Sequence, residues 1–316
     1  MKYFITGGAG FVGSNFVDRL VKKSKNEIVV YDNLSVGTKD RLPALLGKKS
    51  FSFIKGDLLD KKLLNKSIRG SDIVIHLASN ADISRSIKMP SLDFNQGILA
   101  TFNVLEAMRA NGIKKIVYNS GSGVYGDQGA KYTSENFGPL LPSSMYGASK
   151  LSAEGLISAF CNIYEMQSWI FRPANIVGRK QTHGVGPAFL EKLKKNKDEL
   201  EILGDGRQSK SYIHIDDFLD ALFLVVSRTK EKVNLFNVAS DTFIDVTTIA
   251  KIVTQEMGLK NVKFNYTGGR GGWKGDVPKV RMTTKKLNQL GWKPKFNSTE
   301  AFRKSIQDLL NEQSCK

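Results

Sequence analysis

The run Thr6-Gly7-Gly8-Ala9-Gly10-Phe11-Val12-Gly13 constrains this chain more than any other feature. It satisfies Gly-x-Gly-x-x-Gly through Gly8, Gly10 and Gly13, and Gly-x-x-Gly-x-x-Gly through Gly7, Gly10 and Gly13. Glycine turns are common, so the weight lies in the context. A β-type segment precedes the run at Lys2–Thr6, a helical pattern follows over residues 13–23, and a second strand pattern over 27–31 leads into Asp32. In that setting glycines let the backbone approach a pyrophosphate, which rests on the unpaired N–H groups of a helix N-terminus. Asp32 is spaced to accept from an adenosine-ribose hydroxyl. Asn33 follows it where an arginine would suit NADP, so the pattern favours NAD.

The alternation continues. Strand patterns occupy residues 51–55, 72–77 and 115–120, with a long helical stretch over 91–110, another over 144–164 and a strand over 168–171. Strands alternating with helices predict an α/β fold with a parallel sheet covered on both faces. After Asn175 the strands shorten (201–203, 211–215, 235–238), helices intervene at 189–195, 216–227 and 246–257, and a glycine-rich loop spans 267–274. The expected division is a dinucleotide domain over 1–175 and a smaller, partly interleaved substrate domain over 176–316. No segment has the roughly 18 uninterrupted apolar residues of a membrane span. The apolar run after Lys2 breaks at Gly7 and Gly8, unlike a signal peptide. Cys161 and Cys315 are far apart and suggest neither a disulfide framework nor a metal site, so a cytoplasmic location is expected. His76, His183 and His214 lack metal-ligand spacing.

Forty-seven Lys plus Arg against 30 Asp plus Glu leave a net charge of +17. The basic residues fall in scattered pairs such as Lys22-Lys23, Lys48-Lys49 and Lys114-Lys115, with one denser cluster over 192–197 and no interleaved aromatics. That pattern reads as a solvated lysine-rich surface that would attract anionic substrates, rather than as a nucleic-acid interface.

Tyr146-Gly147-Ala148-Ser149-Lys150 forms the second constellation. Residues four apart on a helix share a face, so phenol and ammonium can reach one cleft. A tyrosine near pKa 10 is a poor base at neutral pH. A neighbouring ammonium would lower that value and make it a usable proton acceptor. Asp57, in Lys55-Gly56-Asp57-Leu58, ends the third strand at the edge where such sheets bind ligands.

With these motifs stand His76-Leu77-Ala78-Ser79, Val124-Tyr125-Gly126, Arg172-Pro173-Ala174-Asn175, Gly204-Asp205-Gly206, Lys210-Ser211-Tyr212 and Gly275-Asp276. Together they make the chain resemble an extended short-chain dehydrogenase/reductase of the NAD-dependent epimerase/dehydratase family. The likeness is greatest to the archaeal-type UDP-glucose (UDP-galactose) 4-epimerases, and it runs nearly end to end. The resemblance implies a doubly wound (Rossmann) sheet. It also implies NAD held by Gly7, Gly10, Phe11, Val12, Gly13, Asp32, Asn33, Ser35, Asp57, Leu58, Leu77, Ala78, Ser79, Tyr146 and Lys150. A nucleotide sugar, a UDP-sugar by the closest likeness, would be held by Asn175, Lys210, Asp276 and, as a candidate, Arg270; Trp273 falls near the family's usual arginine. Tyr146 would exchange the proton of the sugar 4-hydroxyl, with Lys150 lowering its pKa. A homodimer is implied through helices 91–110 and 144–164.

Two positions depart from the family. The family's Ser or Thr, three residues before the Val of Val-Tyr-Gly, is here Gly121, flanked by Ser120 and Ser122; Ser122, then Ser120, are the candidates for polarising the 4-oxygen. Gly97 stands where the family has Asn. Dehydratases carry an Asp-Glu pair just before Val-Tyr-Gly; here the residues are Ser122-Gly123, which favours epimerisation. The alternatives are a dehydratase, decarboxylase or reductase of the same family, or a catalytically weakened nucleotide-sugar-binding relative.

Overall fold

The computed structural model describes residues 1–22, 25–42, 50–80, 85–272 and 275–314. Lys23, Lys48, Lys49, Trp273, Lys274 and Cys315, invoked above, lie outside them. The chain divides into two compact units. The first comprises Met1–Gly121, Met145–Phe171 and Val226–Phe236; the second comprises Ser122–Ser144, Arg172–Val225 and Asn237–Lys316.

The first unit is built on strands β1 (Lys2–Thr6), β2 (Glu27–Asp32), β3 (Phe51–Lys55), β4 (Ile73–His76), β5 (Lys115–Asn119), β6 (Gln167–Pro173) and β11 (Val233–Val238). They form one seven-stranded sheet in the order β11-β6-β5-β4-β1-β2-β3. Every pair from β6 to β3 is parallel. Segments such as Ile28-Val29-Val30-Tyr31 and Ile73-Val74-Ile75 are buried throughout, as expected of strands covered on both faces. The order reverses between β1 and β4, which opens a crevice at the carboxyl ends of the strands. The helices of this unit are α1 (Phe11–Val21), α2 (Lys61–Ser67), α3 (Arg85–Lys88), α4 (Ser91–Asp93), α5 (Ala100–Ala110) and α6 (Met145–Ile163). Asp60 caps α2 by accepting from Leu63 N–H. The core packs Phe4, Val74, Val104, Met108, Ile157 and Phe160.

Two expectations need correction. The pattern over 91–110 predicts one helix. The chain instead forms α4, a π-helical turn at Phe94–Leu99, and then α5. Gly97 sits in this turn against α6, where a Cβ would lie 2.7 Å from both Cβ and Oγ of Ser149. A bare Cα therefore lets the wider turn press onto α6. The segment 235–238, expected in the carboxyl half, is part of β11 and borders the main sheet beside β6. Ser168 N–H donates to Lys232 O (2.8 Å) and Asn234 Nδ2 donates to Ser168 O (3.0 Å), which seats it there.

Among the described residues the second unit contains three two-stranded sheets: β7 (Asn175–Val177) with β10 (Tyr212–His214), β8 (Glu199–Ile202) with β13 (Lys263–Tyr266), and β9 (Ser209–Lys210) with β12 (Ile244–Asp245). Its helices are α7 (Val185–Lys195), α8 (Ile215–Arg228, which runs into the first unit), α9 (Val246–Glu256), α10 (Lys285–Gln289) and α11 (Ser298–Ser314). Phe189, Ile202, Ile249, Val253, Phe302 and Ile306 form its own core.

Candidate functional site

The glycine loop lies between β1 and α1. Gly7 has φ +68°, and a Cβ there would meet Ala78 N at 2.7 Å. A Cβ on Gly13 would lie 2.2 Å from Gly7 O. These two glycines thus fold the loop onto itself and against the end of β4. Gly10 N–H donates to Gly7 O (3.1 Å), while a Cβ on Gly10 would meet only that oxygen, at 3.2 Å. Phe11 and Val12, half-buried, open α1.

Asp32 closes β2 and is buried. Its Oδ2 accepts from Ala9 N–H (2.9 Å) and its Oδ1 from Leu34 N–H (2.8 Å), so one carboxylate ties the loop to the turn after β2. Burial raises its pKa; those two donors and the Arg41 guanidinium oppose the rise. Arg41 Nη1 also donates to Ala9 O (3.3 Å), a partner the sequence pattern did not signal. Asn33 Nδ2 donates to Asp57 Oδ2 (3.0 Å), Asn33 Oδ1 accepts from Ser35 N–H (3.0 Å), and Tyr31 Oη donates to Asp57 O (2.8 Å). The ends of β2 and β3 are stitched together by the residues that the glycine motif points to. Leu58 is buried, and its carbonyl accepts from Asn103 Nδ2 (2.9 Å).

Leu77, Ala78 and Ser79 follow β4 and are half-buried. Beneath them runs a directed chain of hydrogen bonds. Ala78 N–H donates to Thr6 Oγ1 (3.3 Å), and Thr6 Oγ1 contacts His76 Nδ1 (2.7 Å). His76 Nε2 contacts Thr101 Oγ1 (3.0 Å), which donates to Gly97 O (2.5 Å). Since each hydroxyl has one proton, the sequence of donors assigns His76 the Nε2–H tautomer. Burial, with the Lys150 charge, pushes its pKa down to about 3, so the ring is neutral. His76 thus links the glycine-loop strand to the π turn.

Tyr146, Lys150 and Glu154 succeed one another by single turns along α6. Lys150 is 2% exposed, its Nζ donates to Asn119 O (2.7 Å), and it lies 5.0 Å from the Tyr118 ring centroid and 5.5 Å from that of Tyr146. Burial pushes its pKa down to about 8, against the opposing carboxylates of Asp93 and Glu154. Tyr146 differs from expectation. Burial, reinforced by the Asp93 carboxylate, pushes its pKa up to about 12, while the Lys150 ammonium donates to Asn119 O. Asp93 is buried and accepts from Asn80 Nδ2 (3.0 Å) and from the Ser86 hydroxyl.

Ser120 donates its hydroxyl proton to Glu154 Oε1 (2.5 Å) and is buried. Glu154 had no motif to announce it beyond its place eight residues after Tyr146. A Cβ on Gly121 would stand 3.9 Å from Tyr146 Oη, with only Tyr146 atoms within 4 Å among the described residues. The place beside the phenol is therefore open. Ser122 begins a one-turn 3-10 helix, Ser122–Tyr125, in the second unit.

Within the second unit, Asn175 opens β7 and its Nδ2 donates to Ser211 O (3.2 Å). Lys210 Nζ pairs with Asp276 Oδ1 (2.6 Å), whose other oxygen accepts from Gly272 N–H (3.1 Å). Arg270 is exposed on the glycine-rich loop. Arg172 Nη1 donates to Tyr125 Oη (3.0 Å), which donates to Asn237 Oδ1 (2.7 Å), and these bonds fix the Val-Tyr-Gly turn. His214 is buried beside Asp308 (3.3 Å) and His183 lies on the surface.

A doubly wound sheet whose reversal point carries a glycine loop, with a tyrosine–lysine helix in the same unit, defines a nicotinamide-dinucleotide enzyme of Rossmann type. The sequence model of the NAD dependent epimerase/dehydratase family matches residues 3–239. A protein of Methanocaldococcus jannaschii assigned as a UDP-glucose 4-epimerase is 31% identical over 313 residues, spanning 97% of this chain and 98% of that one. The UDP-glucose 4-epimerase of Mycolicibacterium smegmatis is 29% identical over 319 residues, 99% of either chain. A crystal structure of a UDP-galactose 4-epimerase superposes with a TM-score of 0.88 at 34% identity, covering 99% of both chains. The chain belongs to the NAD dependent epimerase/dehydratase family, and its cofactor is NAD.

Proposed function

We propose that the chain is an NAD-dependent nucleotide-sugar 4-epimerase acting on UDP-glucose and UDP-galactose or their N-acetylated forms. The residues present fit the dinucleotide. The loop is closed on the side of Gly7 and Gly13 and open at Gly10, where phosphate oxygens can approach the backbone. Each Asp32 oxygen keeps a lone pair after its backbone bond, so a ribose hydroxyl can still donate to it. In this reading Gly7, Gly10, Phe11, Val12 and Gly13 hold the pyrophosphate. Asp32, Asn33 and Ser35 hold the adenosine ribose, Asp57 and Leu58 the adenine, and Leu77, Ala78 and Ser79 the nicotinamide side. The first unit is then the cofactor unit, and the second carries the nucleotide contacts of the substrate through Asn175, Lys210, Arg270 and Asp276.

When bound, the NAD supplies a hydride acceptor and donor at sugar carbon 4. The chain supplies the proton chemistry. Tyr146 takes the proton of the 4-hydroxyl as the 4-keto sugar forms and returns it after the ring has turned over. Its pKa near 12 must fall for this, and the buried Lys150 ammonium is the fixed positive charge in reach. Asn119 holds that ammonium in place. Ser122 is the candidate for polarising the 4-oxygen, because the Ser120 proton is engaged by Glu154. Ser122-Gly123 offers no carboxylate pair for eliminating water.

The single observation that carries the reading is the buried Lys150 on the Tyr146 face of α6, in the unit that holds the glycine loop. Half-exposed apolar side chains at Phe94 (51%), Phe102 (38%) and Ile163 (68%) support a homodimer through these helices. The test is incubation with UDP-glucose, UDP-galactose and their N-acetyl counterparts, with product stereochemistry read by NMR. Interconversion within either pair is expected; none in either would overturn the proposal.

A further inference from the structure

At the strand starts of the first unit, opposite the edge that carries the glycine loop, lies a cavity of about 420 Å3. Its wall includes Lys114, Lys115, Lys230, Lys232, Glu165 and Met166. The lysines arrive from separate parts of the chain: Lys114 precedes β5 and Lys115 opens it, and Lys230 and Lys232 lead into β11. Glu165 comes from the turn between α6 and β6, where it occupies the left-handed region (φ 56°), a conformation that favours glycine. Two of the cations have work within the fold. Lys114 Nζ donates to Tyr164 O (2.8 Å), and Lys232 Nζ pairs with Glu165 Oε1 (3.3 Å). Among the described residues, Lys115 and Lys230 make neither an ion pair nor a side-chain hydrogen bond. Four lysines against one glutamate leave three positive charges around one concavity.

We propose that this cavity binds a compact polyphosphate, recognised by its phosphate chain. A phosphate chain brings several negative charges into a small volume and so offsets the mutual repulsion of the ammonium groups. Ammonium groups are point charges with freely rotating donors, which suit phosphate oxygens without demanding a planar partner. Among the described residues the wall carries no aromatic side chain on which a base could stack. The size of the cavity lies within the range of small-molecule sites. The lysines are exposed, so binding rests on charge and weakens as salt rises. The site is separate from the cofactor loop, which follows the carboxyl end of β1 while the cavity lies at the amino ends of β5, β6 and β11.

The experiment is calorimetric titration of the full chain, saturated with NAD, with inorganic tripolyphosphate, ATP and adenosine at two salt concentrations. Tripolyphosphate and ATP are expected to bind one equivalent with similar affinity, and adenosine not at all. The double variant Lys115→Gln/Lys230→Gln is expected to bind about tenfold more weakly, with a shallower salt dependence. Its melting temperature without ligand should be unchanged, since neither side chain has a partner to lose. A preference for ATP with no binding of tripolyphosphate would overturn the proposal, because the base would then be what is read. So would absence of tripolyphosphate binding by the NAD-saturated chain, or undiminished binding by the double variant. Retention of single-stranded RNA but not of tripolyphosphate would likewise count against it.

Discussion

Tyr146 and Lys150 show how burial and partner geometry set the protonation of a residue pair. Lys150 must keep its proton to act on Tyr146, and burial has brought its pKa to about 8. The ammonium is therefore lost as pH rises through about 8, and kcat should fall along that limb. Glu154 and Asp93 favour the charged form, so Glu154→Gln should move the same limb to lower pH, read from kcat–pH profiles of the two proteins. An unmoved limb would show that Glu154 only anchors Ser120. Tyr146→Phe should lower turnover by about a hundredfold or more while NAD stays bound, measured by activity and by cofactor absorbance after gel filtration. Gly121 admits a sharper comparison, because the place beside Tyr146 Oη is open. Gly121→Thr should raise kcat by about tenfold, whereas Gly121→Val, equal in shape and lacking the hydroxyl, should not. Equal effects from both would assign the position to shape alone.

At the scale of elements, β1, β2, β4, β5 and β6 were legible because each carries an apolar run, and the glycine loop because its spacing is unusual in that context, whereas the two-residue β9 and β12 carry no such run. The break in the helix over 91–110 was not. Its apolar spacing is helical throughout, and the close approach of Gly97 to Ser149 at the π turn, distant in sequence, is visible only once α6 is in place. The same holds for β11: its residues alternate like any short strand, and its place beside β6 shows only in hydrogen bonds such as that of Ser168 N–H to Lys232 O. Of the candidate site, Asp32, Asp57, Tyr146 and Lys150 could be read from motif positions, whereas Arg41, Glu154 and the Thr6–His76–Thr101 chain act through contacts that no motif encodes. Gly97→Ala should cost about 1–3 kcal/mol by overpacking the π turn. In a Ser149→Gly background the cost should be smaller, because the clashing Cβ and Oγ are gone. Urea denaturation of the four proteins gives the coupling; additivity would refute the contact as the cause.

For the molecule as a whole, His76 makes stability depend on acid. Its folded pKa, about 3, lies below the ordinary value of 6.5, so between those values the unfolded chain binds the extra proton. The contribution is fully present above pH 6.5 and declines as pH falls toward 3, by about 1.4 kcal/mol per pH unit. The imidazole should show the neutral Nε2–H pattern by NMR at pH 5; a titration centred near 6.5 would refute its burial in the neutral form. The interleaving of the two units also governs the order in which the molecule can be made. A ribosome delivers β6 more than 50 residues before β11, its neighbour at the sheet edge. During that interval the nascent sheet has a bare rim able to pair with the rim of another unfinished chain. A fragment ending at residue 175 should aggregate. The same fragment joined by a flexible linker to residues 226–238 should remain dispersed in light scattering, because the late-arriving strand is the natural seal of that rim.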